Sequence, residues 1–400
     1  MEDDRMIVNE RMYGLGSARS VIRELFEYGK TRAAIVGKEN VYDYSLGNPA
    51  VPSPASVNEA IIDILNTQPS IEVHGYTSAQ GDADTREAIA NDLNRRFGTH
   101  FNKDNFYITC GAAAALTISF GALITPECNE VIAIAPYFVE YGVFAANAGG
   151  KLVVVPADTE NFQINFEELE KALSPRTRCL VVNSPNNPSG AVLSEETVKK
   201  LSALLKKKSE EFGHAIVLIS DEPYREIAYD GIDVPYLTKY YDNTIVCYSW
   251  SKSISLPGER IGYVLVPDEM EDSKKVYAAV CGAGRSLGFV CAPSLLQKVI
   301  KRVAGQTSDI NEYKKNRDLL YNGLTEIGYD CVKPQGAFYL FVKTIGDEKE
   351  FCRRAQDLDL LVVGGTGFGC PGYVRLAYCV ANDMIKRSLP VFKKLYDSYK

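Results

Sequence analysis

The chain reads as an α/β protein. A large domain is built on a mainly parallel sheet covered by helices, and a smaller α+β domain is formed by both termini. Three observations predict this. From about residue 84, short apolar runs of strand length alternate with stretches whose apolar residues recur at helical spacing. The short runs are apolar throughout, as in strands buried on both faces of a parallel sheet. Each polar, turn-forming segment of interest follows one of those runs, at the carboxyl end where open α/β sheets place their ligands.

In chain order, Asp84 with Glu87 reads as a helix-capping pair, and Ile89, Leu93 and Phe97 follow at helical spacing. Tyr107 and Ile108 lead into C-G-A-A-A-A-L, a small-residue turn that opens a helix. Residues 131–135 form a strand ending at Pro136, and 152–155 form another. Asn165 with Glu168 starts a helix, and 180–182 is again a strand. Ser194 caps a helix with Glu195 and Glu196 in its first turn, where the helix dipole favours them. Val198, Leu201, Leu204 and Leu205 form its apolar stripe, and Gly213 stops it. Strands at 216–219, 245–247 and 263–266 complete the set. Past Pro293 the pattern changes to a long polar helix (308–327), a strand (338–342) and a Gly-rich stretch (364–369). That stretch lacks the G-x-G-x-x-G-then-helix pattern of a dinucleotide loop and reads as a mobile loop. The expected division is 1–50 for an N-terminal arm and part of the small domain, 51–292 for the large domain, and 293–400 for the rest of the small one.

Four hundred residues exceed one small core, and 46% apolar with 24% charged residues is ordinary for a globular chain. A net charge of −7 argues against nucleic acid or an acidic membrane surface as partner. The short basic run Lys206, Lys207, Lys208 fits a solvated helix face. Ten cysteines stand singly without a C-x-x-C pair, and there are three histidines, so no metal site is expected. The opening M-E-D-D-R is no signal peptide, and no apolar run approaches membrane-spanning length. A reducing cytoplasm is the expected location.

The most informative segment is S-W-S-K-S-I-S-L-P-G-E-R-I-G-Y, residues 249–263. Lys252 follows an apolar strand, hydroxyls stand at Ser249, Ser251, Ser253 and Ser255, and Arg260 comes eight residues later. That is an amine held ready for a carbonyl beside an anion site, which suits an aldehyde cofactor carrying a phosphate. Gly111, Ala112 and Ala113 open a helix whose backbone N–H groups could cradle the anion. The segments S-D-E-P-Y (220–224) and N-S-P-N-N-P-S-G (183–190) end two further strands, although Asn, Pro, Asp and Gly also make ordinary turns.

Together with the late Y-V-R-L (373–376), and in this order, these motifs resemble those of fold-type I pyridoxal-phosphate enzymes, the class I/II aminotransferase family of aspartate-aminotransferase type. The resemblance runs over nearly the whole chain and implies transfer of an amino group between an L-amino acid and a 2-oxo acid by a ping-pong mechanism. It implies that Lys252 is the Schiff-base lysine and proton shuttle. Asp221 would sit against the pyridine nitrogen, with Tyr224 and Asn187 at the phenolic oxygen. Ser249 and Arg260 would join Gly111, Ala112 and Ala113 at the phosphate, and Phe138 would stack on the ring. The aspartate-type pattern commonly has tryptophan at that last position. Arg375, a bidentate fork, and the Gly47 backbone would take the substrate α-carboxylate.

Tyr76 resembles the tyrosine that reaches a neighbouring subunit's phosphate, which implies a homodimer with shared sites. R-S-V-I-R (19–23) resembles the segment that closes over substrate, with Ile22 capping the pocket and Arg23 reading a distal carboxylate. It reads equally as an amphipathic surface helix. Arg285 is a further candidate for side-chain recognition. Two other readings share the fold: a C–S β-lyase with the same cofactor, and a non-catalytic regulator.

Overall fold

The structure is a computed structural model, and it describes residues 7–17 and 21–400. The acidic opening (1–5) and the start of the R-S-V-I-R segment (Arg19, Ser20) lie outside the described residues.

Among the described residues there are twelve strands, in chain order β1 (Tyr42–Asp43), β2 (Phe106–Thr109), β3 (Glu130–Ile134), β4 (Lys151–Val155), β5 (Thr177–Asn183), β6 (Val217–Asp221), β7 (Thr244–Ser249), β8 (Gly262–Leu265), β9 (Tyr339–Lys343), β10 (Leu360–Leu361), β11 (Val363–Gly364) and β12 (Tyr373–Ala377). Seven of them form the large sheet in the order β2-β8-β7-β6-β5-β3-β4. Only β8 runs antiparallel to its neighbours, β2 and β7. The carboxyl ends of β2, β3, β5, β6 and β7 therefore share one edge, as the apolar runs predicted.

Both faces are covered. Successive residues of a strand point to opposite sides. In β7, Ile245 and Cys247 pack with Leu116 and Ile118 of the helix Ala112–Leu123 and Val280 of the helix Ser273–Ser286. The alternate Val246 and Tyr248 pack on the other face with Ile89 and Leu93 of the helix Ala83–Phe97. Leu201 and Leu205 of the helix Glu195–Phe212 cover Leu180 and Leu218. Its Ser194 cap accepts from Thr197 N at 3.0 Å, and Gly213 closes it in the left-handed region at φ 73°.

A second core lies against the small sheet β11-β12-β9 and the two-stranded β1–β10. It joins Tyr44, Leu320, Leu340, Leu376 and Phe392, drawn from both ends of the chain. Among the described residues, no helix is long and apolar enough to cross a membrane.

Two expectations change. Asp82, not Asp84, caps the helix Ala83–Phe97: its Oδ2 accepts from Thr85 N at 2.9 Å, whereas Asp84 pairs with Lys301. The stretch 364–369 is a packed 3₁₀ turn over Gly365–Phe368. Phe368 is fully buried, and the Glu348 carboxylate accepts from Thr366 N at 3.1 Å and Gly372 N at 2.8 Å. The helix Ser294–Val303 buries Leu296, Val299, Ile300 and Val303 in one core with Phe106 and Ile108 of β2.

Candidate active site

A cavity of about 280 Å³ opens where the large sheet's carboxyl edge meets the small sheet. Its wall includes Gly47, Ala112, Ala113, Phe138, Asn187, Asp221, Tyr224, Ser249, Lys252, Arg260 and Arg375, and Ile22 lies at it too. Residues up to 353 positions apart thus meet at one place, as their strand ends require.

At one end, β2 runs into Gly111 at φ 85°, and the helix Ala112–Leu123 starts there without a side-chain cap. The positive φ favours glycine, and a Cβ on Gly111 would stand 2.7 Å from Arg260 Nη2, the mobile end of that side chain. Arg260, itself at φ 52°, is exposed and donates through Nη1 to Pro257 O at 2.9 Å. Ser249 ends β7, and its Oγ lies 2.6 Å from Ser251 Oγ. Uncapped N–H groups, two hydroxyls and a guanidinium at this end could hold an anion.

Asp221 is the last residue of β6 and is 3% exposed. Its Oδ2 accepts from Tyr141 Oη at 2.6 Å, and Asn183 Nδ2 donates to its carbonyl at 2.8 Å. Its Oδ1 is buried with no hydrogen-bond partner. Burial pushes this carboxyl from 3.8 up to about 7, against the Tyr141 hydrogen bond, which holds it down. Asn183 Oδ1 also accepts from Asn187 N at 2.7 Å, locking the turn that carries Asn187. Phe138 meets Tyr141 edge-on at 5.7 Å.

Lys252 Nζ donates to Gly47 O at 2.7 Å. Desolvation lowers its ammonium from 10.5 to about 8, and Arg375 and Arg260 push the same way. A neutral fraction is therefore present near neutral pH, which a nucleophilic amine needs. Arg375, in β12, is 3% exposed. Its Nη1 donates to Asn187 Oδ1 at 3.2 Å and its Nη2 to Ser45 O at 2.5 Å, while Nε is buried without a partner. Its guanidinium lies over the rings of Tyr339 (4.8 Å) and Phe368 (5.0 Å).

Gly111 stands just behind the cavity wall, next to Ala112, and three further sequence candidates fall outside the wall. Tyr76 is 89% exposed after the helix Ser70–His74. Arg285 is exposed in the last turn of the helix Ser273–Ser286. Arg23 is exposed on the helix Val21–Val36, whose Ile22 and Leu25 pack inward. Sequence reading missed Tyr141, Asn183 and Tyr339. Asn183 opens the quoted N-S-P-N-N segment and was available as a signal. Tyr141 and Tyr339 are two of 24 tyrosines, with nothing local to single them out.

The family model for class I and II aminotransferases matches residues 38–390. An aminotransferase crystal structure from Eubacterium rectale superposes with a TM-score of 0.97 at 63% identity, covering 99% of this chain and 100% of that one. A probable aspartate aminotransferase of Methanocaldococcus jannaschii is 30% identical, covering 94% of this chain and 97% of its own length. An aromatic-amino-acid aminotransferase of Thermococcus litoralis is 28% identical, covering 94% and 95%. This chain belongs to the class I and II aminotransferases, enzymes that use pyridoxal phosphate to move an amino group between an amino acid and a 2-oxo acid.

Proposed function

We propose that Lys252 is the covalent anchor of pyridoxal phosphate and the base that moves the substrate proton. The observation that carries this is a desolvated amine sharing one cavity with a partnerless buried carboxylate oxygen and a partnerless buried guanidinium N–H. These groups suit the cofactor: Asp221 Oδ1 offers a ring N–H its acceptor, and the Gly111 turn leaves space that a Cβ would fill. Bound pyridoxal phosphate supplies an aldehyde for the amine and a protonated ring that takes up the electrons of the broken Cα–H bond.

The residues do the rest. Gly111, Ala112, Ala113, Ser249 and Arg260 hold the phosphate. Asp221 keeps the ring nitrogen protonated through a charge-assisted hydrogen bond. Phe138 stacks on the ring. Tyr224 and the Asn187 amide, whose oxygen already accepts from Arg375, donate to the phenolic oxygen. Arg375 and the Gly47 backbone hold the substrate α-carboxylate beside Lys252. The Lys252 amine would serve as the base and acid that moves the substrate Cα proton. Ile22 excludes water from the substrate.

A homodimer fits the same reading, with the Tyr76 phenol of each protomer reaching the other's phosphate site. Tyr76 is exposed, as are the apolar Ile62, Leu65 and Ile71 in the same part of the chain, and Arg260 is exposed at the phosphate end. Ten free thiols suit a reducing cytoplasm. We place the boundary between the large and small units after Val303, because the helix Ser294–Val303 shares the large sheet's core.

Borohydride reduction of the holoenzyme, followed by peptide mass spectrometry, tests the anchor. The peptide holding Lys252 gains the reduced cofactor, and Lys252→Ala does not. A holoenzyme unlabelled at that peptide overturns the assignment. Amino donors assayed against 2-oxoglutarate, oxaloacetate and pyruvate then identify the substrate pair, and pyruvate with ammonia released from cystine without an oxo acid marks elimination instead.

A further inference from the structure

We infer that Tyr339 is a positioning residue for Tyr224, and that its hydroxyl ties the substrate-carboxylate side of the cavity to the cofactor side. The inference rests on the reading above in which Tyr224 donates to the cofactor's phenolic oxygen.

Tyr339 stands in β9 of the small sheet, and Tyr224 follows β6 of the large one. Their hydroxyl oxygens are 2.9 Å apart, both side chains are buried, and the rings meet at 82°. A phenol has one hydrogen to give. If Tyr224 gives its hydrogen to the cofactor, the hydrogen between the two phenols belongs to Tyr339. Accepting it polarises the Tyr224 O–H and strengthens the bond Tyr224 makes in turn.

The position of Tyr339 is held on two further sides. A Cβ on Gly47 would collide with its hydroxyl, so glycine there leaves the phenol its place. The Arg375 guanidinium covers its ring at 4.8 Å. The charged and titratable groups facing Tyr339 are Arg375, Cys379 and Tyr224. Arg375 thus touches Tyr339, Tyr339 touches Tyr224, and a chain of three side chains crosses the seam between the sheets.

The test is a double-mutant cycle on cofactor dissociation from the holoenzyme, with Tyr339→Phe, Tyr224→Phe and the double variant. Tyr339→Phe weakens pyridoxal-phosphate binding by about 3- to 10-fold, the span of one neutral hydrogen bond. In the Tyr224→Phe background the same change has no effect beyond twofold. The pH midpoint of the bound cofactor's absorbance rises in Tyr339→Phe. It falls when 3-fluorotyrosine, a stronger donor, replaces Tyr339. A residue that only fills space would not shift the midpoint in opposite directions. The fluorinated chain keeps ring and hydroxyl, so it carries the test should Tyr339→Phe fold poorly.

Wild-type dissociation and midpoint in Tyr339→Phe overturn the inference, as does an undiminished loss in the double variant. If Tyr224→Phe itself leaves both readouts unchanged, the role of Tyr224 falls first and this inference with it.

Discussion

Replacing Asp221 by asparagine should make the cofactor-free protein more stable relative to wild type as pH rises, while disabling the enzyme. The carboxyl is buried, and its pKa is raised from 3.8 to about 7. A raised folded-state pKa means the native chain binds more protons than the unfolded chain between those values. Stability therefore falls as pH rises through that window and levels off above it. At about 1.4 kcal/mol per unit, ionising this carboxyl in the folded apoprotein costs roughly 4 kcal/mol by pH 8, of which about 1.7 is already present at pH 5. Asparagine cannot titrate. Its oxygen can still accept from Tyr141, and it ends β6 in the same place. The stability of Asp221→Asn relative to wild type should therefore increase by about 2.5 kcal/mol from pH 5 to pH 8, whatever the baseline cost of the substitution. Urea unfolding of both apoproteins at the two pH values, at one protein concentration, measures this. The same variant should lose at least about 100-fold in transamination, since an amide cannot hold the ring nitrogen protonated. An unchanged stability difference between pH 5 and pH 8 would refute the reasoning.

Two further outcomes follow from the geometry. Arg375→Lys keeps the charge but loses the planar fork, whose bonds to Asn187 and Ser45 leave Nε for a ligand. A charge-assisted hydrogen bond is worth about 1.5–3 kcal/mol, so kcat/KM should fall by about 10- to 150-fold, and a loss under twofold in steady-state kinetics would remove Arg375 from carboxylate binding. Gly47→Ala drives a methyl into the Tyr339 hydroxyl. Overpacking of that kind costs about 1–3 kcal/mol, and Tyr339→Phe should recover part of it in thermal melts; additive losses would show that the two residues do not compete for space.

The strand ends were legible because apolar runs are local. Each run ends where its polar segment begins, so Asp221, Asn187, Lys252 and Gly111 could be placed on one edge without knowing the strand order. Helix starts were less legible where two acids compete. Asp82 and Asp84 both precede the helix Ala83–Phe97, and only the actual turn shows which carboxylate reaches an N–H three residues on. Two partners of the site residues, Tyr141 and Tyr339, had no local signal. Tyr141 reaches Asp221 across 80 positions and Tyr339 reaches Tyr224 across 115, contacts made by packing of elements rather than by spacing along the chain.

Those long-range contacts also explain why a stable fold keeps groups that do not stabilise it. Asp221 Oδ1 and Arg375 Nε are buried without partners, and a group left so costs about 1–3 kcal/mol. Neither is a packing accident: Tyr141 and Asn183 clamp one, and Ser45 and Asn187 hold the other. The clamps keep each group from turning away to satisfy itself elsewhere. One cavity is left lined by a lone acceptor, a lone donor and a desolvated amine. Cofactor and substrate would supply the missing partners, a ring N–H for the acceptor and a carboxylate for the donor. The penalty carried by the empty protein then becomes affinity and orientation in the loaded one.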